Sequence, residues 1–343
     1  MMIWALVVMT GALRLRAGEA DFNLDYITEF QTGFNKRYNW VNLLHADFNY
    51  MFCNNIGFRL STISISETKD EGVMDDRLTF SNIEEESISL APSVIGLECN
   101  IGSSSLFIGV RNMNEDYFTS PATSLFTNSS CGIFPTLSVN YPLANYPCSS
   151  MGIVYKLTLK KFGIVSSLYN GKGYKYFSGK ENVFRFCPSS DGILWVSTLN
   201  YSTNGSTYYL GGSLHSGFVP SDVPGAEKAE KLEEKRLSGV LWAYAEQRLT
   251  EKVSLLLQAS RALHKDAECK CYYGAGTVVD CGNDIRLGLF VGHASFSSEK
   301  ETAAELTCNI PVSSRIYIQP ALHCVSNGHF KGTAGLFRMG CSM

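Results

Sequence analysis

The sequence predicts an all-β fold, a transmembrane antiparallel up-and-down β-barrel of about 16 strands. Three observations carry that prediction. The first is a strict alternation in the last third of the chain. Ala304, Leu306, Cys308, Ile310 and Val312 share one phase, with Glu305, Thr307 and Asn309 between them. Ile316, Ile318, Pro320 and Leu322 then alternate with Arg315, Tyr317, Gln319 and His323. Successive strand side chains point to opposite faces, so each stretch has an apolar side and a wet one. The second is composition: of 343 residues, 18% are charged and 12% aromatic, with 30 Gly and 10 Pro. That charge content lies below the ~25% of an ordinary soluble domain. The third is that no run approaches the ~20 apolar residues a membrane-spanning helix needs.

The elements follow in order. Ile3 to Leu13 is a short apolar run, and Gly18-Glu19-Ala20 places small residues where a signal peptidase inspects them, so residues 1–20 read as an export signal. No Lys or Arg precedes that run, which departs from the usual pattern. Cleavage would remove Arg14, Arg16 and Glu19 and take the net charge from −3 to −4. So acidic a balance excludes nucleic acid as a partner.

From residue 21 to 343 we expect one barrel. Leu44, Ala46, Phe48, Tyr50 and Phe52 oppose His45, Asp47, Asn49 and Met51. Leu106, Ile108 and Val110 follow a Gly-Ser turn at 102–105, and Tyr155, Leu157 and Leu159 oppose Lys156, Thr158 and Lys160. Asn204-Gly205 is a hairpin turn signal ahead of Tyr208, Leu210, Gly212 and Leu214. Val253, Leu255, Leu257 and Ala259 oppose Ser254, Gln258 and Ser260; Ile285, Leu287, Leu289 and Val291 oppose Arg286, Gly288 and Gly292. About ten alternating residues and then a turn is the rhythm of outer-membrane barrels. Two stretches break it. Residues 119–149 are rich in Pro, Ser, Thr and Asn and read as a long functional loop. Residues 220–237 hold the run Glu227 to Arg236 and read as a charged external loop. A soluble exported β-sandwich or β-solenoid, acting in sugar binding or adhesion, would also alternate and stands as the second reading.

Eleven cysteines cannot all pair internally. Cys99, Cys308, Cys324 and Cys341 fall in apolar phases, as small hydrophobes do, so free thiols are expected. Cys269, Cys271, Cys281 and His264 suggest a metal site. Residues 272–279 read as a strand, however, and eight extended residues span about 26 Å, which parts Cys271 from Cys281. No metal or cofactor is expected. Neither a Gly-x-Ser-x-Gly elbow nor a His-Glu-x-x-His helix occurs, so no enzyme is expected.

At Asn114-Glu115-Asp116-Tyr117-Phe118 the chain begins to resemble the carbohydrate-selective porins of the OprB type. The resemblance continues through Tyr146-Pro147-Cys148-Ser149-Ser150-Met151-Gly152, Ser167-Leu168-Tyr169-Asn170-Gly171 and Gln319-Pro320-Ala321-Leu322-His323-Cys324-Val325-Ser326-Asn327. Ala321 and His323 stand where that family usually has Asp and Gln, and the chain closes on Met343 rather than Phe or Trp. The resemblance implies a multi-pass barrel in a bacterial outer membrane, in contact with its lipid, passing small sugars or other hydrophilic solutes by diffusion. It also implies that the long loop folds inward and narrows the pore.

In such a barrel the charged parity lines the passage. On that ground the candidate wall residues are Lys156, Lys160, Arg286, Glu305, Arg315, Gln319 and Arg338. The blander reading gives them cross-strand or rim positions. The candidate constriction is Arg111, Asn114, Glu115 and Asp116 with Tyr117, where planar polar groups stand beside aromatic faces. The blander reading makes Asn114 and Asp116 turn stabilisers.

Overall fold

The computed structural model describes residues 19–33, 37–68, 72–218, 235–329 and 331–343. Sixteen strands form the wall: β1 (Glu19–Gly33), β2 (Tyr38–Cys53), β3 (Ile56–Glu67), β4 (Ile88–Ile101), β5 (Ser104–Arg111), β6 (Ser150–Leu159), β7 (Phe162–Asn170), β8 (Ile193–Thr203), β9 (Ser206–Phe218), β10 (Lys235–Arg248), β11 (Val253–Ala262), β12 (Cys269–Gly282), β13 (Ile285–Phe296), β14 (Lys300–Pro311), β15 (Ile316–Asn327) and β16 (Lys331–Ser342). Each pairs antiparallel with its sequence neighbours, and β16 returns to β1, from Asp25↔Ser342 to Gly33↔Ala334. Closure satisfies both edges of every strand, the condition for a sheet in hydrocarbon. Met343 completes the seam: its N–H donates to Leu24 O at 2.9 Å, and Leu24 N–H donates back to its carbonyl at 3.1 Å. The expected sandwich alternative is excluded by this closed ring. Of the expected export signal, residues 1–18 lie outside the described residues, and Glu19 and Ala20 open β1. Of the expected loop at 220–237, residues 220–234 lie outside them and 235–237 open β10.

Alternation sets the register. On β14 and β15 the cross-strand pair Leu306↔Leu322 faces outward and Glu305↔His323 faces inward. Large apolar side chains cover the outer surface around the ring, among them Phe22, Trp40, Trp195, Leu210, Leu241 and Leu289. An apolar belt of that extent on a monomer needs an apolar medium against it.

One end of the barrel is closed by short turns. Asn204 and Gly205 sit at φ 50° and 78°, as do Asn283 and Asp284 at 51° and 59°, the left-handed pair that a twisted two-residue hairpin requires. The other end carries the long connections. Two of these, of which 72–87 and 112–149 are described, enter the barrel and form its interior core. Within 112–149, Phe118, Phe126 and Phe134 pack on the inward side chains Trp242, Tyr244, Tyr272 and Phe290 at centroid distances of 4.7–5.8 Å when their mutual contact is included. Gly288 makes that seat possible, because a Cβ there would lie 2.7 Å from Phe126 and 2.9 Å from Leu125. All eleven cysteines are free thiols. Cys269, Cys271 and Cys281 lie at opposite ends of β12, as the extended span requires.

Candidate functional site

Two sets of clamps hold the inward loops, and several residues expected to face water turn out to be the clamps. Glu305 is fully buried. Its Oε1 accepts from Thr127 N–H at 2.8 Å and from the Thr127 hydroxyl at 3.0 Å, and its Oε2 accepts from Asn128 N–H at 2.9 Å. Gln319 Nε2 donates to Leu125 O at 2.6 Å, and Gln258 Nε2 to Cys131 O at 2.7 Å. Arg286 reaches Pro121 O at 3.4 Å. His323, at a position where the resembling family has Gln, contacts the Thr127 hydroxyl through Nε2 at 2.9 Å. The clamps at Glu305, Gln319, Gln258 and Arg286 satisfy backbone groups that an irregular, buried loop cannot satisfy internally.

The second loop, 72–87, is tied the same way. Arg338 donates to Glu29 from Nε at 2.7 Å and from Nη2 at 2.6 Å, while Nη2 also reaches Asn82 Oδ1. Glu29 in turn accepts from the Ser81 hydroxyl at 2.6 Å. Glu301 Oε1 accepts from Arg77 and Leu78 N–H, both at 2.8 Å. Within this loop, burial, with Glu301 next in weight, raises the Asp76 carboxyl to about 7. Burial, aided by Glu29, raises Glu84 to about 7 as well.

The residues expected at the constriction meet where the longer loop leaves the wall. Asp116 receives Arg111 Nε at 2.6 Å and Nη2 at 2.7 Å, and Lys156 Nζ lies 2.6 Å from its Oδ1. Burial would raise this carboxyl, but the two cations more than reverse that and hold it below the ordinary range. The Arg111 guanidinium lies 4.6 Å from the centre of the Phe107 ring. Tyr117 is buried, its hydroxyl 2.7 Å from that of Ser167 and donating to Val196 O at 3.0 Å. Asn114 is exposed and accepts from Tyr146 N–H at 2.9 Å, a bond across the loop to a residue 32 positions away rather than to its own turn. Glu115 is half-buried and accepts a 3.5 Å contact from Ser93.

Segment 112–119 separates two recesses. One, of about 360 Å³, lies against β1–β3 and β16; Asp25, His45, Asn114, Glu115, Tyr146 and Tyr317 line it. The other, of about 170 Å³, is walled by Asp116, Tyr117, Thr198, Asn200, Tyr209 and Tyr244. Tyr209 and Tyr244 are a cross-strand pair stacked at 4.0 Å and 6°. Such a face, beside amide and carboxylate oxygens, suits the C–H surface and hydroxyls of a sugar ring.

Of the sequence-derived candidates, Arg111, Asp116 and Lys156 come together, with Glu115 and Asn114 on the adjoining recess. Glu305, Gln319, Arg286 and Arg338 lie on the inward parity beneath the loops. Lys160 and Arg315 stand in short turns and are exposed, off the lumen wall. Tyr209, Tyr244, Thr198 and Asn200 were missed; Tyr208 drew the alternation, and its neighbour of opposite parity carried the only signal. Among the described residues, ligand-type atoms converge at Asp25, His45 and Asp47. A His45–Asp47 pair at 3.3 Å and the Ser61 contact at His45 Nε2 account for that group without an ion.

No protein-family model matches the chain, and no curated protein matches its sequence. Solved structures do match its fold. The high-pH structure of Pseudomonas putida OprB superposes with a TM-score of 0.77 at 16% identity, covering 94% of each chain. The low-pH structure of that protein gives 0.57 at 14% identity, covering 94% of this chain and 92% of the other. An anion-selective porin from Comamonas acidovorans gives 0.61 at 10% identity, covering 95% of this chain and all of the other. The chain has the fold of these porins, as the resembling motifs led us to expect.

Proposed function

We propose that this protein is an outer-membrane porin through which small hydrophilic solutes, sugars first, diffuse passively. The observation that carries the proposal is the inward loop pinned by Arg111, Asp116 and Lys156, which leaves a polar recess on one side and an aromatic one on the other. The apolar outer belt supports a lipid environment, reached by an export signal in the first 20 residues. A solute would exchange part of its hydration for the Asn114, Glu115 and Asn200 groups and for the Tyr209–Tyr244 face. The pinned loop keeps that geometry fixed, so passage costs no rearrangement. The reading assigns no catalytic step, cofactor or metal.

Liposome swelling tests it. Vesicles holding the refolded barrel should swell in isosmotic monosaccharide faster than empty vesicles, and planar bilayers should show discrete conductance steps that sugars partly block. Absence of both would overturn the proposal. Conductance without sugar block would leave the porin and remove the sugar.

A further inference from the structure

The outer surface at the long-loop end of β11 and β12 carries a groove that the passage does not use. Its volume is about 380 Å³, and Arg261, Leu263, His264, Lys265, Lys270 and Cys271 line it. Arg261 has the outward parity of Leu257 and pairs with Cys271, which has the outward parity of Tyr273. Leu257, Tyr273 and the neighbouring Leu241 are exposed members of the apolar belt, with 47%, 54% and 54% of their surface free. Three cations therefore stand one step beyond the lipid-facing band, on its long-loop rim.

Among the described residues these cations are not used up internally: Arg261 and Lys265 make no hydrogen bond or ion pair. Lys270 has Glu268 in range, but that carboxylate is held by Arg77 at 2.5 Å and by the Ser297 hydroxyl. Asp266 is the acid of the same turn, so the local charge is +2 without His264. Burial holds that imidazole below its ordinary range, and it adds no charge to the groove. All three cations are exposed, so at the edge of an apolar belt they are free to attract an anion that arrives with the surrounding lipid.

We propose that this groove seats a phosphate of a phosphorylated glycolipid headgroup in the surrounding leaflet. The inference rests on the membrane reading above. A guanidinium fork and two ammonium groups match the three oxygens of a phosphate. Acyl chains attached below it would run over Leu257, Tyr273 and Leu241. A free phosphate offers the same charge but no chains, and would gain nothing from the belt.

The test titrates detergent-folded protein with diphosphoryl lipid A, its phosphate-free form and inorganic phosphate, read by native mass spectrometry. Diphosphoryl lipid A should bind, and the triple variant Arg261→Ser, Lys265→Ser, Lys270→Ser should weaken it by about tenfold or more. Lys161→Ser with Lys252→Ser, in short turns at the other end, should leave it unchanged. Equal binding by the triple variant, or by phosphate-free lipid, would overturn the proposal. So would inorganic phosphate binding as tightly as the lipid, which would mark an anion site unrelated to the membrane. Heat-modifiable mobility and vesicle insertion of the same samples separate the two readings. A variant that inserts normally but shows no lipid preference defeats the groove alone; a wild-type chain that does not insert defeats both.

Discussion

The two halves of the barrel interior are written in the same alternating code and end differently. Over β10–β15 the inward residues Tyr244, Gln258, Tyr272, Phe290, Glu305 and Gln319 are covered by loop 112–149. Over β1–β3 the inward residues Asp25 and His45 remain partly open, facing a recess. Parity decides which way a side chain points. What then lies on top of it is decided by a segment from elsewhere in the chain. The filled half serves as a foundation; the open half, together with the recess beside Tyr209 across the divider, is the surface that the proposed solute path uses.

Breaking the divider between the halves should have the largest effect. Arg111→Met leaves Asp116 with Lys156 alone, and losing one partner of a buried pair costs about 3–5 kcal/mol. The expected result is a lower temperature for loss of the heat-modifiable form, together with noisier conductance. Glu305→Ala attacks the filled half directly. It strips the acceptors from two loop N–H groups and a hydroxyl, at about 2–5 kcal/mol. Loop 119–149 should become cleavable by protease, and conductance should rise severalfold. Unchanged cleavage would show that the aromatic packing holds the loop without the clamp.

The smaller effects concern the solute surface and loop 72–87. Tyr209→Ala removes half of a stacked face worth about 0.5–1.5 kcal/mol, so sugar block of the current should weaken by up to about tenfold while conductance stays near wild type. Asp76 and Glu84 hold protons in the docked loop at pH values where the released loop gives them up. Their stabilising contribution is complete below the ordinary values of 3.8 and 4.5 and is lost as pH rises through about 7. Hydrogen exchange of residues 72–87 should thus accelerate from pH 5 to pH 8 beyond the intrinsic chemical rate, and Asp76→Asn should flatten part of that rise.

How much of this was legible in the sequence follows from the range of each signal. Alternation is local, so it placed Glu305, Gln319, Arg286 and Arg338 on the inward face. It could not show their task, because their loop or wall partners lie 165 to 309 residues away. Period two also does not mark where a strand stops, which is why Lys160 and Arg315 were carried one step past the wall into turns. The cluster of Arg111, Asp116 and Tyr117 was legible because these residues are close in sequence and their order resembles a known family. The Tyr209–Tyr244 face was not, since two tyrosines 35 positions apart become neighbours only through the register of β9 and β10.

The clamp at Glu305 and Gln319 also fixes an order of assembly. Loop 112–149 leaves the ring at β5 and is tied at β14 and β15, roughly half the circumference away. It is a spoke, and a spoke cannot be fitted until the far rim exists. While the last hairpins are still missing, the loop has its ties to β5, β6, β10 and β11 but lacks those at Glu305 and Gln319. Its final seating therefore waits for the closing strands, and a ring held across its width resists flattening.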